Sequence, residues 1–242
     1  MKIIEKSKEK IIFIAEIDES LANAIRRSVL EIPILAIDEV EIHKNDSALY
    51  DEVIAHRLGL IPLENEKLDL KNECSCKGKG CSKCTIQLKL VAKGPGTIYS
   101  SALKGKAKPV YDNIPIVILN EKQELELIAF ASPGKGIEHA KYSPGLVYYR
   151  NLAEIKIDKS KLDKECVEAC PHKIITEKGV NEKDIYKCDL CEACVEKCKG
   201  IEVKPTKEII FFIESFRQIT AEEILVEAVK ALKENLKVLG KA

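Results

Sequence analysis

A run of four closely spaced cysteines is the strongest constraint on how this chain can fold. The run has the spacing C-x2-C-x2-C-x3-C and consists of Cys188, Cys191, Cys194 and Cys198. Three thiolates at this spacing can surround one iron–sulfur cubane, and few other structures require it. We therefore expect this part of the chain to fold around an inorganic cluster.

An incomplete second copy of the motif lies upstream. Cys166 and Cys170, with Pro171 directly after them, match the C-x3-C-P end of such a run. Counting back from Cys166 in steps of three places the two remaining ligand positions at Asp163 and Ser160. Because neither side chain is a thiol, the upstream copy cannot complete a second four-cysteine site.

The two copies together predict one cluster and one vacated site. Where two copies occur, the fourth cysteine of each copy binds the cluster of the other. The predicted ligands of the single cluster are Cys170, Cys188, Cys191 and Cys194. Cys166 and Cys198 should lie near each other in the vacated site, either as thiols or as a disulfide. The cluster can contain four irons (4Fe-4S) or three (3Fe-4S), and a zinc site made by the same thiolates is the alternative.

A second group of cysteines lies in a glycine-rich loop at residues 74–84. Its members are Cys74, Cys76, Cys81 and Cys84, with the spacing C-x-C-x4-C-x2-C. Four thiolates in one short loop can surround a tetrahedral zinc ion, and no coordination position then stays open for catalysis. We expect a structural zinc site here, and the alternatives are reduced thiols and a pair of disulfides.

Composition is typical of a globular protein in a reducing compartment. Hydrophobic residues make up 45% of the 242 residues and charged residues 32%, and the apolar runs are far shorter than a membrane span. Ten cysteines without a secretion signal favour metal binding in the cytoplasm over a disulfide framework. The net charge of zero argues against a dedicated nucleic-acid-binding protein.

Helical and extended patterns along the chain predict an α+β fold. Apolar residues at helical spacing predict a helix over residues 21–32, which ends before a proline. Short strands follow, including one at residues 97–103, and glycines and a proline at residues 133–136 predict a loop. The segment 158–204 is poor in large hydrophobic side chains, so we expect a metal cluster to stabilise it.

The last predicted helix begins at a capping box and carries a broad apolar stripe. The box consists of Thr220 and Glu223. The stripe includes Ile224, Ala228, Leu232 and Leu236. Such a stripe can pack on the protein's own sheet, and part of it can also bind a partner helix.

Three classes of function are compatible with these features. They are an electron-transfer subunit of an oxidoreductase, a metal-stabilised assembly scaffold and a nucleic-acid-binding factor. The sequence contains neither a phosphate-binding P-loop nor a dinucleotide-binding glycine motif, and its four histidines match no catalytic motif. We therefore predict no catalytic residues, and the scaffold is the class for which no expected feature is missing.

Several motifs resemble the alpha-like subunits of DNA-directed RNA polymerase. They are L-A-N-A-I-R-R-S-V-L at residues 21–30, A-I-D-E-V at 36–40, V-I-A-H-R-L-G-L-I-P at 53–62 and E-H-A-K-Y-S-P at 138–144. This family includes the bacterial alpha N-terminal domain and the third-largest eukaryotic subunit, whose zinc loop is similar to the cysteine loop described above. A ferredoxin-like insertion before the last strand and helix resembles the archaeal members, the D subunits.

The resemblance implies three parts of the chain. Residues 1–38, 146–157 and 205–242 would form a dimerisation platform made of a small sheet and two helices. Residues 39–145 would form a β-rich insert domain that carries the zinc loop. Residues 158–204 would form a ferredoxin-like iron–sulfur domain.

The resemblance also implies partners. The platform would form a heterodimer with the small L subunit, and this heterodimer would assemble with the N and P subunits and the two large subunits. The large subunits hold the catalytic magnesium, so this chain would be a non-catalytic component of a nucleotidyltransferase with little or no nucleic-acid contact. Arg26 and Arg27 cannot both face the core of their helix, so they contact a large subunit or form a solvated pair.

Overall fold

The computed structural model describes residues 1–64, 81 and 84–239 of the chain. The strands are β1 (Lys2–Lys6), β2 (Lys10–Ala15), β3 (Pro33–Asn45), β4 (Ile86–Lys93), β5 (Gly96–Tyr99), β6 (Lys104–Gly105), β7 (Pro115–Leu119), β8 (Glu124–Lys135), β9 (Gly145–Ile157), β10 (Ile175–Thr176), β11 (Gly179–Val180) and β12 (Ile201–Ser215). The helices are α1 (Glu19–Ser28), α2 (Asp51–Gly59), α3 (Lys164–Glu168), α4 (Ala193–Lys197) and α5 (Ala221–Leu239). The fold is a mixture of helices and sheets, so the predicted α+β class is confirmed. Within the described residues, no helix is both long and apolar enough to cross a membrane.

The chain divides into two compact units. The first contains Met1–Lys6, Ile11–Ala24 and Val147–Phe212, and the second contains Ser7–Lys10, Ile25–Leu146 and Ile213–Ala242. The first unit is built on a four-stranded sheet with the order β1-β2-β12-β9. The strand order therefore brings the N-terminal strands against the strand that follows the cysteine-rich segment.

The sheet of the first unit is stabilised by aliphatic and aromatic side chains. Ile12, Ile14, Ile210 and Phe212 form a buried cluster. Phe13 stacks on the ring of Phe211 with a centroid distance of 5.1 Å, and Tyr148 stacks on Phe212 at 4.7 Å. The strands supply most of the β-branched and aromatic side chains of this core, and Tyr186 of the cysteine-rich segment also packs against it.

The second unit contains a four-stranded sheet with the order β3-β8-β4-β6 and a two-stranded sheet of β5 and β7. Helix α2 packs on β3, and its Ile54 and Leu58 are completely buried. Arg57 of the same helix donates a hydrogen bond to the carbonyl oxygen of Pro115 over 2.7 Å. The motif at residues 53–62 therefore anchors a helix to strands from two other parts of the unit.

Two local predictions in the second unit are wrong. The expected loop at residues 133–136 is mostly strand, because β8 continues to Lys135 and pairs with the start of β3. At Gly134 the ring of Tyr142 lies so close that an added Cβ would be only 2.5 Å from it, so glycine is there for packing. The expected strand at residues 97–103 ends at Tyr99, because the buried Ser100 hydroxyl bonds backbone groups across the turn.

The start of helix α5 has the predicted capping box. The Thr220 amide donates to Glu223 Oε2 over 2.8 Å, and the Glu223 amide donates to Thr220 Oγ1 over 3.2 Å. The first turns of α5 pack on the 3-10 turn Val29–Glu31. Satisfied amides and this packing surface fix where the helix begins.

Two of the sequence motifs meet through one lysine in the second unit. Lys141 donates from Nζ to Asp38 Oδ1 over 2.6 Å and to the carbonyl oxygen of Ile37 over 3.2 Å. The lysine side chain is 14% exposed, whereas that of Asp38 is 49% exposed. The hydrogen bond from Lys141 lowers the pKa of the Asp38 carboxyl below its ordinary value of 3.8.

We expect the substitution Lys141→Met to destabilise the second unit by about 1–2 kcal/mol, because it removes two charge-assisted hydrogen bonds, one of them to a half-exposed carboxylate. Urea denaturation followed by circular dichroism measures this change. The matched control is Lys135→Met, which removes the exposed ion pair with Glu31 (3.2 Å) and should cost at most about 0.5 kcal/mol. An equal loss of unfolding free energy in both variants would contradict the prediction that the hydrogen bonds of Lys141 stabilise the unit more than an exposed ion pair does.

The same ion pair has a defined pH dependence. Because the pKa of Asp38 is lower in the folded than in the unfolded chain, its contribution is fully present above the unfolded value of 3.8. The contribution is lost as the pH falls through the folded pKa. The stability difference between wild type and Lys141→Met should therefore be constant from about pH 7 to pH 5 and shrink below about pH 4. Urea denaturation at each pH tests this, and a constant difference down to the acid limit would contradict it.

Candidate metal centres

Four cysteines from two separate segments line one cavity in the first unit. They are the four predicted cluster ligands, Cys170, Cys188, Cys191 and Cys194. Ile155, Ile174, Ile175 and Val203 contribute the apolar walls of this cavity. Cys170 and Cys194 are buried, Cys188 is half-buried and Cys191 is exposed. Tertiary structure thus brings the remote Cys170 to the three cysteines of the downstream run.

The backbone between these cysteines turns tightly without glycine. Leu190 (φ 61°) and Glu192 (φ 59°) both adopt the left-handed conformation, on either side of Cys191. Lys173 (φ 52°), just after the segment of Cys170, does the same. Each left-handed conformation costs a non-glycine residue about 1–2 kcal/mol. Such strain is typical of ligand-binding loops, where the bound group compensates it.

The electrostatics of the cavity disfavour bare thiolates. Burial is the main cause that raises the pKa of the Cys188 and Cys194 thiols above the ordinary value of 9.0. Repulsion from the neighbouring Cys170 and Cys191 raises both pKa values further. Positive metal ions at the centre of the four sulfurs would reverse this effect, and thiolates are ligands that iron–sulfur clusters and zinc prefer.

A hydrogen bond connects the two segments that supply the cysteines. His172 Nε2 lies 3.0 Å from Asp189 Oδ2, and the Cys191 amide donates to Asp189 Oδ1 over 3.2 Å. The hydrogen bond with His172 lowers the pKa of Asp189 to about 2. Our sequence reasoning missed this contact; the only signal was that each partner follows a predicted ligand within two residues.

The two cysteines predicted to lie in a vacated second site also meet in the structure. Cys166 and Cys198 are joined by a disulfide, and both are buried. Asp163 lies beside them, and one ligand atom from each of the three residues lies within 4.8 Å of the others. Ser160, the remaining position of the incomplete motif, points instead to Asp158, to which its hydroxyl donates over 2.7 Å.

Half of the predicted zinc loop lies within the described residues. The Sγ atoms of Cys81 and Cys84 are 3.7 Å apart, and the Cys81 amide donates to Cys84 Sγ over 3.3 Å. Two thiolates on one tetrahedral zinc ion lie about 3.8 Å apart, given Zn–S bonds of about 2.3 Å. Cys74 and Cys76 lie outside the described residues. The spacing of Cys81 and Cys84 therefore fits a tetrahedral metal ion. The zinc site formed by all four cysteines remains a prediction.

The residues predicted to contact partners differ in their exposure. Ile224 and Ala228 are completely buried in the chain's own core. Leu232 is half-buried and Leu236 is 56% exposed, so the second half of the stripe on α5 faces outward. Of the two consecutive arginines on α1, one is half-buried and the other exposed. The accessible parts of the predicted interface are therefore Arg27 and the second half of α5.

Comparison with known proteins defines the class of this chain. Residues 40–158 match the family model described as the RNA polymerase Rpb3/RpoA insert domain. The chain is 35% identical to DNA-directed RNA polymerase subunit Rpo3 of Archaeoglobus fulgidus over 100% of its own length and 96% of that protein. It is 38% identical to subunit Rpo3 of Thermococcus kodakarensis, over 96% of this chain and 92% of that protein. Subunit Rpo3 of Methanosphaera stadtmanae is also 38% identical, over 97% of this chain and 94% of that protein.

These matches extend over the whole chain and agree with the α+β fold. The class they define is the alpha-like subunit of a multisubunit RNA polymerase. Within this class, the chain belongs to the family of DNA-directed RNA polymerase subunit Rpo3. The alternative of a ferredoxin-like electron-transfer subunit of an oxidoreductase is not supported by these relatives.

Proposed function

We propose that this chain is a non-catalytic assembly subunit of a DNA-directed RNA polymerase, equivalent to the archaeal D subunit. The observation that carries this proposal is the similarity to subunit Rpo3 along essentially the full length of the chain. The chain acts as a scaffold in the cytoplasm, and RNA synthesis takes place on the large subunits. The predicted three parts belong to this proposal: a platform at both ends of the chain, an insert domain and a ferredoxin-like insertion.

The platform forms a heterodimer with the small L subunit. The second half of α5 supports this proposal, because Leu236 is 56% exposed and Val238 is 69% exposed at the end of the helix. Apolar side chains on a helix face favour association, since removing their surface from water is the main favourable contribution. The heterodimer then binds the N and P subunits and the two large subunits, and Arg26 and Arg27 are candidates for a large-subunit contact.

The ferredoxin-like insertion holds one iron–sulfur cluster. The four cysteines around the cavity would be its ligands, and Leu190 and Glu192, on either side of Cys191, adopt the left-handed backbone conformation that turns the chain there. When bound, the cluster supplies bonds that connect two segments distant in sequence, which stabilises a unit with few large apolar side chains. The hydrogen bond between His172 and Asp189 positions the same two segments. The zinc proposed for the cysteine loop would likewise be structural.

Reconstitution tests the assembly function. The full chain, with its cluster assembled anaerobically, is mixed with the L subunit and then with the remaining subunits of the polymerase. We expect a stable one-to-one complex with L that synthesises no RNA, and template-dependent RNA synthesis only when the large subunits are added. Full polymerase activity reconstituted without this chain would overturn the proposal.

A further inference from the structure

The vacated cluster site contains three metal-binding groups that the single iron–sulfur cluster does not use. They are the thiols of Cys166 and Cys198 and the carboxylate of Asp163, with one ligand atom of each within 4.8 Å of the other two. In the structure the two sulfurs form a disulfide. A disulfide is unusual in a reducing cytosol, so the state of this site after reduction matters for the protein.

We infer that, once the Cys166–Cys198 disulfide is reduced, Asp163, Cys166 and Cys198 bind one zinc-class divalent metal ion. Ligand atoms around a tetrahedral zinc lie about 3.6–3.8 Å apart, given Zn–S bonds of about 2.3 Å and Zn–O bonds of about 2.0–2.2 Å. The three ligand atoms already lie within 4.8 Å of one another, and after reduction the two sulfurs move apart from bonding distance toward this spacing.

The backbone already orients the carboxylate for this role. Asp163 is the N-cap of α3, and its Oδ1 accepts a hydrogen bond from the Cys166 amide over 2.8 Å. This bond holds Asp163 next to Cys166 and leaves Oδ2 to coordinate the metal. Lys161, two residues before Asp163, pairs with Asp158 at 3.1 Å.

Burial decides which form the two cysteines take after reduction. Cys166 is 2% exposed and Cys198 is 3% exposed, in one core with Cys170 and Cys194. Neutral thiols are compatible with this environment, whereas thiolates are stable there only when a cation pairs with them. A metal ion supplies that cation. Because only three protein ligands are present, the fourth position is open to water and the metal is exchangeable, unlike a closed four-cysteine site.

The redox step balances with a dithiol as reductant. The dithiol gives two electrons and two protons to the disulfide, becomes a disulfide itself, and leaves Cys166 and Cys198 as thiols. Metal binding then releases the two thiol protons. In the reverse direction a disulfide of the same class takes up the two electrons and two protons and becomes a dithiol, Cys166 and Cys198 form their disulfide again, and the metal ion leaves. The site therefore alternates between a disulfide and a metal complex, and the iron–sulfur cluster does not take part.

The test is a zinc titration of the full chain that carries its cluster. One sample is kept with the disulfide intact, and the other is reduced anaerobically with a water-soluble phosphine, which takes up oxygen from water as it reduces the bond. After gel filtration, elemental analysis gives zinc and iron per chain. We expect one more zinc per chain in the reduced sample, unchanged iron, and protection of Cys166 and Cys198 from alkylation by the added zinc.

Variants separate this site from the other cysteines. Cys198→Ser and Asp163→Asn should both lose the additional zinc, and Asn still caps α3, so the second variant keeps the helix even where the first fails to fold. The matched control is Glu165→Gln, a neighbouring acidic residue outside the site, which should bind zinc like the wild type. Equal zinc in the oxidised and reduced wild type, or additional zinc that persists in Asp163→Asn, would overturn the inference. So would loss of iron in step with zinc uptake, because zinc would then have entered the cluster site.

Discussion

Replacing Cys191 with serine is expected to remove the iron–sulfur cluster and to unfold the cysteine-rich segment, while the complex with the L subunit still forms. Cys191 is an exposed thiol between two left-handed residues, so a missing metal bond leaves that strain uncompensated. Structural metals in small units contribute on the order of 10 kcal/mol to folding, which exceeds what this segment's small core can replace. The sheet of the first unit and the packing of α5 do not use this cysteine, so the surface proposed for L is preserved.

Three measurements follow the effect of Cys191→Ser on anaerobically prepared protein. Visible absorbance and iron content report the cluster, amide hydrogen exchange reports unfolding of residues 158–204, and co-purification reports the L complex. The matched control is Cys166→Ser, the same chemical change at a cysteine outside the proposed ligand set, which should keep its iron. A Cys191→Ser protein that keeps its iron would contradict the ligand assignment. A complete loss of L binding would contradict the prediction that the surface for L folds independently of residues 158–204.

Charged substitutions on the exposed half of α5 should abolish the complex with the L subunit. Leu236→Glu removes an apolar side chain that is 56% exposed in the isolated chain, and Leu232→Glu changes the preceding turn of the same stripe. Lost burial of one leucine is worth about 2 kcal/mol, or about a thirtyfold increase in Kd. Burying an unpaired carboxylate adds a further cost. Neither side chain is fully buried in the chain itself, so the fold should survive.

Co-purification and a titration of the two purified subunits measure this loss. The control is Glu234→Arg, which also changes charge but lies about 200° around the helix from Leu236. We expect the control to bind L like the wild type and to have the same helix content by circular dichroism. Normal binding by Leu236→Glu and Leu232→Glu would reject α5 as the interface and would leave family membership untouched.

The sequence predicted best where neighbouring residues decide the structure. The capping box at Thr220 and Glu223 marks the start of α5, because both partners lie within one helical turn. The helix near the N-terminus ends before β3, where Pro33 begins a strand. In the same way, counting ligand positions by threes identified which cysteines surround one cavity and which two are left over. These features depend on spacing, which the sequence contains directly.

The predictions failed where contacts between distant residues decide the structure. Gly134 lies in a segment rich in glycine and proline, which predicts a turn. It belongs to a strand instead, because it pairs with Ile34 of β3 and the ring of Tyr142 packs against it. Strand β1 was not predicted at all, since its charged residues become a strand only by pairing with β2. The division of the α5 stripe into a buried half and an exposed half was equally invisible, because periodicity does not show what covers a face.

The sequence by itself therefore determined the motifs of the polymerase family and the helix caps, and it predicted which cysteines would bind a cluster and which two would be left over. Only the tertiary structure decided that Cys166 and Cys198 are joined with Asp163 beside them, and that His172 and Asp189 connect the segments around the cavity. The physical reason is that spacing fixes which residues can act together within a turn. Burial and pairing across the chain depend on the whole fold.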